Sequence, residues 1–183
     1  MRNKSIVDRC YMGMTTTSVV CHKCSTNSES QSPFLDIELE IKDSLLEKCI
    51  AQHFTPEKIE GYDCEKCDKN TRATKQYSIA KTPNYLVICL KKFNASGRKI
   101  EDKVKYGEEL DLRKVCKGHS GDGRYALQGV LVHKGSKSTK GHYYCYMKRG
   151  NRWFYANDEL TKEMELKDVL GRDAYMLFYN RSH

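Results

Sequence analysis

No apolar run in the 183 residues approaches the roughly 18 that a membrane-spanning helix requires. Met1-Arg2-Asn3-Lys4 is basic, but no apolar h-region follows it, so no secretory signal is expected. The formal charge is +8, yet Lys and Arg never gather into a block of five or six. That scatter reads as a mildly basic solvated surface rather than a nucleic-acid stripe. Internal repeats and low-complexity tracts are also missing, which excludes solenoids and biased tails. What remains is one domain, or one with a small appendage, and 10% aromatic content argues against disorder.

Cysteine, by contrast, is plentiful. The count of nine is odd, and two pairs have Cys-x-x-Cys spacing, Cys21/Cys24 and Cys64/Cys67. With no export signal, this favours a reducing compartment and metal ligation over a disulfide framework. Each Cys-x-x-Cys turn points both sulfurs at one ion, and two turns complete a tetrahedral S₄ set for a structural Zn²⁺. Four thiolates around one Zn²⁺ would offset two of the excess positive charges. The 39 residues between the pairs are too many for a simple ribbon, so the knuckles should cap two hairpin-like fingers. His22, inside the first knuckle, is not expected to ligate. Cys10, Cys49, Cys89 and Cys116 lack partner spacing and read as packing thiols.

Hydrophobic patterning predicts strands with one clear helix. Residues 1–14 have no clean period, and β-branched Thr15 to Val20 leads into the first knuckle. Asn27 to Ser32 reads as a turn. Leu35, Ile37, Leu39 and Ile41 alternate with Asp36, Glu38 and Glu40, a half-buried strand. Asp43-Ser44 should open a helix, with Ser44 and Glu47 as a capping box and Leu45, Leu46, Cys49 and Ile50 as its apolar stripe. Ala73 to Ile79, Lys103 to Tyr106, Tyr125 to His133 and Ala174 to Tyr179 are further strands, and Leu166 to Leu170 a helical turn. Tyr85 to Leu90 is continuously apolar and should be buried on both faces. Lys117 to Gly123 and Gly135 to Lys140 are polar loops. The fold class is α+β, dominated by an antiparallel sheet.

Gly141 to Asp158 reads as an aromatic hairpin with a histidine near one end and Asn157-Asp158 near the other. A turn centred between Arg149 and Gly150 places His142 directly opposite Asn157. Opposed residues share a face with Cβ atoms about 5 Å apart. An imidazole and a carboxamide at that distance form the base-and-orienter half of a Cys-His-Asn triad. Asp158 should alternate to the other face unless a bulge intervenes, and its default reading is a structural hydrogen-bonding carboxylate. Cys145, three residues from His142 along the strand, should also point away from it, and Cys10 has no helical pattern after it.

These stretches resemble the ubiquitin-specific protease family of papain-like deubiquitinating thiol hydrolases. The resemblance is carried by Val19-Val-Cys-His-Lys-Cys24, Pro33-Phe-Leu-Asp-Ile-Glu-Leu39, Tyr62-Asp-Cys-Glu-Lys-Cys67 and Pro83 to Phe93. Leu127 to Gly135, Gly141-His-Tyr-Tyr-Cys-Tyr146 through Asn157-Asp158, and Ala174 to Tyr179 continue it. It implies a lead-in over 1–14, zinc-bearing fingers over 15–76 and a palm over 77–183. It makes His142 the general base, Asn157 the third triad member and Asp158 a supporting polar residue. His133, Gly141 and Tyr143 would lie near the ubiquitin tail, flanked by loops Lys117–Arg124 and Gly135–Lys140. The family's nucleophile segment, a Gly-Asn-Thr-Cys-Tyr type with its oxyanion-stabilising Asn, has no counterpart here. The chain therefore reads as fingers and palm without a thumb, expected to be inactive alone and to leave an apolar palm face uncovered. Its thiol would come from a missing segment or a partner chain. A catalytically silent ubiquitin-binding zinc module is the alternative reading, and a zinc-ribbon nucleic-acid binder a third. The expected location is intracellular, in cytoplasm or nucleus, with no membrane partner.

Overall fold

In the computed structural model, which describes residues 5–116 and 123–182, two sheets divide the chain. The smaller is built from β1 (Gly13–Cys21), β2 (Asn27–Phe34), β4 (Glu57–Cys64) and β5 (Lys69–Lys81), in the order β2-β1-β5-β4. Each Cys-x-x-Cys turn closes one of its two outer hairpins. Ser25 and Asp68, directly after the second cysteine of each pair, adopt positive φ (57° and 49°) and turn the chain back. Antiparallel pairing of β1 with β5 sets Cys21 against Ala73, which brings the two tips together. β2 is a strand where the composition suggested a turn over Asn27 to Ser32; it is polar over that stretch and ends on Pro33-Phe34. Its side chains are exposed along nearly its whole length, so its pairing with β1 rests on backbone hydrogen bonds, with Thr15 donating to the Ser32 carbonyl and Ser18 to Asn27 Oδ1. β4 also escaped the pattern, because Gly61 (φ 74°) puts a bulge between Ile59 and Tyr62.

The larger sheet has the order β11-β10-β9-β8-β12-β6-β3, with β7 (Glu109–Asp111) added alongside β8. Its members are β3 (Ile37–Leu39), β6 (Tyr85–Leu90), β8 (Arg124–Lys137), β9 (Lys140–Arg149), β10 (Arg152–Asn157), β11 (Leu160–Met164) and β12 (Met176–Arg181). All neighbours along this path are antiparallel except β3, which runs parallel to β6. β12, the last strand in sequence, is inserted between β6 and β8, so closing the chain completes the centre of the sheet. One face carries Leu86, Ile88, Val130, Val132, Tyr146 and Leu177 into the core, covered by α2 (Leu46–His53), α3 (Leu112–Val115) and α4 (Leu166–Leu170).

Several local expectations change. α2 buries Leu46, Cys49 and Ile50, but Leu45 is its N-cap and 37% exposed, not part of the stripe. The Ser44–Glu47 capping box does not form. Instead the Leu46 amide donates to the Lys105 carbonyl at 2.9 Å, and the Asp43 carboxylate accepts from the Leu45 amide. A capping box does form where no period was legible, between Ser5 and Asp8 at the start of α1 (Ile6–Tyr11). Lys103 to Tyr106 makes only a single bridge, Leu45 to Lys105, and the strand around Ile37 is three residues long. Most of Gly135–Lys140 belongs to the β8 and β9 strands. The loop expected over Lys117–Arg124 lies mainly outside the described residues.

The other face of the large sheet is partly bare. α1 touches it at Tyr11, whose ring lies 5.4 Å from that of Tyr85. Beside it runs an open apolar trough of about 400 Å³ lined by Val87, Leu131, Cys145, Met147 and Phe178 among others. Among the described residues no helix is long and apolar enough to cross a membrane.

Candidate active site

The aromatic hairpin forms with a register that differs from expectation. Arg149 pairs with Arg152 and Tyr146 with Tyr155, so the turn is centred between Gly150 and Asn151. Gly150 takes positive φ (59°) at the first position of this two-residue turn, a conformation that suits a right-twisted hairpin. Moving the centre by one residue shifts every partner by two, and a shift of two preserves the face. His142 is therefore diagonal to Asn157, not directly opposite, and the two side chains still meet. Asn157 Oδ1 and His142 Nε2 are hydrogen-bonded.

The chemistry follows from which atoms pair. A carboxamide oxygen only accepts, so Asn157 selects the tautomer with the proton on Nε2. Nδ1 is then left with a free lone pair, the atom that would act as base. Asp158 corrects a second expectation. It is not on the opposite face of a continuing strand, because the chain turns there: Asn157 pairs with Leu160 and Asp158 has φ 51°. The turn swings its carboxylate back, to 3.8 Å from His142 Nε2, while leaving it 77% exposed.

Gly141 and Tyr143 lie on the face of β9 opposite His142, as alternation requires. His133 sits beneath them, only 2% exposed, with its ring 4.7 Å from that of Tyr143. It is a buried support under the surface formed by Gly141 and Tyr143. Neither ring nitrogen has a hydrogen-bond partner among the described residues. Its carbonyl accepts from Lys99 Nζ at 3.0 Å. A Cβ on Gly141 would fall 1.9 Å from His133 Nε2. Gly141→Ala should therefore displace the imidazole or lift β9, costing about 1–3 kcal/mol. A lowered melting temperature together with shifted His133 and His142 imidazole resonances checks this.

Burial first, and Lys99 second, hold His133 below the ordinary imidazole pKa; burial and then Lys91 do the same for His53. As pH falls below about 6.5 the unfolded chain takes up these protons before the folded one does. Stability is thus full above that value and lost as pH falls through the window beneath it. Melting temperatures from about pH 7 to about pH 5.5 should decline, and more shallowly in His133→Leu. Equal slopes would contradict the assignment.

The neighbouring thiols stand apart from this pair. Cys145 lines the trough on the face opposite His142, and burial raises its pKa, which suppresses the thiolate. Cys10 lies on α1, whose contact is with β6; β12 and β8 separate that strand from β9. Among the described residues no cysteine is hydrogen-bonded to His142.

A feature invisible in the sequence braces the site from behind. Lys92, 2% exposed, reaches Asp173 Oδ1 at 2.5 Å and the Asp102 carbonyl at 2.7 Å. Asp173 Oδ2 lies 3.6 Å from Lys99, the residue that holds the His133 carbonyl. Nothing in the local pattern around residue 92 or 173 could have revealed the pairing, because it spans 81 positions.

At the fingertips the four sulfurs of Cys21, Cys24, Cys64 and Cys67 lie within 4.8 Å of one another, a cluster able to hold a metal ion. Cys21 and Cys67 are 3.9 Å apart and Cys24 and Cys64 3.6 Å. A tetrahedral S₄ site with metal–sulfur bonds of about 2.3 Å has edges of about 3.8 Å. The donor set therefore fits. The Thr71 hydroxyl and then the Cys24 backbone draw the Cys21 thiol down to about 6, whereas hydrogen bonding to Cys24 and then burial push Cys67 up to about 12. His22 points elsewhere, bonding Thr74 Oγ1 at 2.8 Å.

The family model described as Ubiquitin carboxyl-terminal hydrolase matches residues 1–179. The chain is 38% identical to human Ubiquitin carboxyl-terminal hydrolase 42, over 98% of its own length and 14% of that protein. It is 34% identical to Ubiquitin carboxyl-terminal hydrolase 8 of Saccharomyces cerevisiae, over 95% of itself and 41% of that protein. Among solved structures it superposes on a SAGA DUB module of Ubp8, Sgf11, Sus1 and Sgf73 bound to monoubiquitin, with a TM-score of 0.89 and 33% identity. That match covers 100% of this chain and 44% of the other. The same module bound to ubiquitin aldehyde gives 0.86 and 30% identity, over 98% and 43%. The chain thus spans less than half the length of the relatives it matches. Its matched length, its sheet architecture and these identities show that it belongs to the ubiquitin carboxyl-terminal hydrolase family.

Proposed function

We propose that this chain carries the acid–base half and the ubiquitin-docking surface of a thiol-dependent deubiquitinase. The observation that carries the reading is the His142–Asn157 hydrogen bond, which orients the ring and makes Nδ1 the lone-pair nitrogen of its neutral form. In the reaction, Nδ1 takes the proton of an incoming thiol whose sulfur attacks the carbonyl of ubiquitin's C-terminal glycine. The imidazolium then protonates the departing lysine amine, and the thioester is released when a water, deprotonated by the same nitrogen, attacks it. Asn157 holds the ring, and Asp158 supports the imidazolium through a carboxylate 3.8 Å away. Gly141 and Tyr143 are proposed to receive the ubiquitin tail, with His133 packing beneath them. Cys21, Cys24, Cys64 and Cys67 would bind a structural Zn²⁺ that fixes the fingers and leaves no open coordination position. Fingers over 15–76 and palm over 77–183 would together form the docking surface, in a reducing cytoplasm or nucleus.

The solved relatives bound to monoubiquitin and to ubiquitin aldehyde support this reading. The silent ubiquitin-binding module is the second reading, favoured by the separation of Cys10 and Cys145 from His142. Titration of the isotope-labelled chain with ubiquitin tests the shared claim. Saturable shifts at Gly141 and Tyr143, with micromolar or weaker affinity, are expected. Unperturbed spectra at saturating ubiquitin would overturn it. A ubiquitin whose tail ends in an electrophile separates the two readings: an adduct on a cysteine supports the enzyme, and binding without an adduct the silent module.

A further inference from the structure

The face of β9 that carries His142 also forms a groove of about 380 Å³, which His142 and Asn157 border and which extends beyond them along β8, β10 and β11. Strand register builds it. Lys134 of β8 is directly opposite His142, and Lys162 of β11 directly opposite Tyr155, itself paired with Tyr146. All five side chains therefore stand on one face, and Tyr144, Asn157, Met164 and Arg172 complete the groove's wall. Lys134 and Lys162 are exposed, and among the described residues neither is in an ion pair. Arg172 is held in place, its guanidinium 5.4 Å from the Tyr146 ring centre and its Nε donating to the Asp168 carbonyl at 2.8 Å. Glu163 alternates to the opposite face and pairs with Arg152, so it does not neutralise the groove. Asp158 stands beside His142, and its side chain is mostly turned to solvent.

Gly141 and Tyr143 are on the other face of the same strand. A chain that enters across them with its scissile bond at His142 must continue onto the groove side. We propose that the groove reads acidic side chains flanking the target lysine, making Lys134 and Lys162 specificity determinants for the leaving-group protein. The proposal rests on the deubiquitinase reading above and adds to it a substrate class: lysines set among aspartates and glutamates.

The test uses the whole chain and two peptides, one with lysine between acidic residues and one with the same lysine between glutamines. Binding is read from the ring resonances of His142, Tyr144 and Tyr155, at low and at physiological salt. The acidic peptide should bind at least about fivefold more tightly at low salt, with the advantage shrinking as salt rises. The Lys134→Glu/Lys162→Glu variant should lose the discrimination while keeping its melting temperature and its ubiquitin affinity. Equal binding of both peptides, or discrimination that survives in the variant, would overturn the proposal. Ubiquitin titration keeps the two claims separable. If ubiquitin binds and the peptides do not discriminate, only the groove assignment fails. If the peptides discriminate and ubiquitin does not bind, the deubiquitinase reading fails, and with it the leaving-group assignment.

Discussion

Asp173→Ala should lower the stability of this protein by about 3–5 kcal/mol, among the largest effects of any single substitution in it. The reason is not that the pair contributes so much but that breaking it strands a charge. Lys92 is 2% exposed, and its ammonium has two partners among the described residues, the Asp173 carboxylate at 2.5 Å and the Asp102 carbonyl at 2.7 Å. With the carboxylate gone, a buried cation faces a single carbonyl dipole. The double variant Lys92→Met/Asp173→Ala should recover most of the loss, because no charge is then left buried. Chemical denaturation of the wild type, the single variant and the double variant measures both terms. A single variant within about 1 kcal/mol of wild type would show that the ammonium finds water instead. Since Lys99 bridges Asp173 to the His133 carbonyl, the single variant should also perturb the amide of Gly141.

Metal removal should have the other large effect, confined to the smaller sheet. Along its four strands only Gly13, Cys21, Cys64, Ala73 and Ile79 are buried. Two of those five are proposed ligands, so little apolar burial remains at the fingertips to hold the hairpins together. In such a segment the binding free energy of the ion is folding free energy. A strong chelator should release one equivalent of zinc and strip exchange protection from the β1 and β5 amides near the knuckles. The large sheet, with Leu86, Ile88, Leu90, Leu127 and Tyr179 fully buried, should keep its protection. Cys64→Ser should reproduce the change without chelator. Retained protection at the tips after complete metal loss would contradict the role assigned to the cluster.

How much of this was legible in the sequence depended on range. Cys-x-x-Cys spacing located both knuckles because a two-residue gap is a local geometric statement. The facing of His142 and Asn157 survived an error in the turn centre, since strand parity is robust to a shift of two. Asp158 was misplaced because parity ends where a strand ends, and a positive φ at an aspartate carries no advance signal. β2 was missed because its side chains over residues 27–32 are polar and exposed and carry no apolar period; pairing with β1 makes it a strand, and only its terminal Phe34 packs against the core. The helix cap was misassigned because the backbone of Lys105, some sixty positions on, took the place of a side chain. The Lys92–Asp173 pair and the burial of His133 depend on contacts across the whole fold. The groove cations were legible only once the registers of β8 with β9 and β10 with β11 were known.

The proposed chemistry depends most directly on the tautomer of one ring. Nitrogen-15 shifts of the His142 imidazole at neutral pH should show the Nε2–H tautomer, and Asn157→Ala should abolish that preference. A ring protonated at Nδ1, or one indifferent to the loss of Asn157, would mean that this histidine is not held as a base.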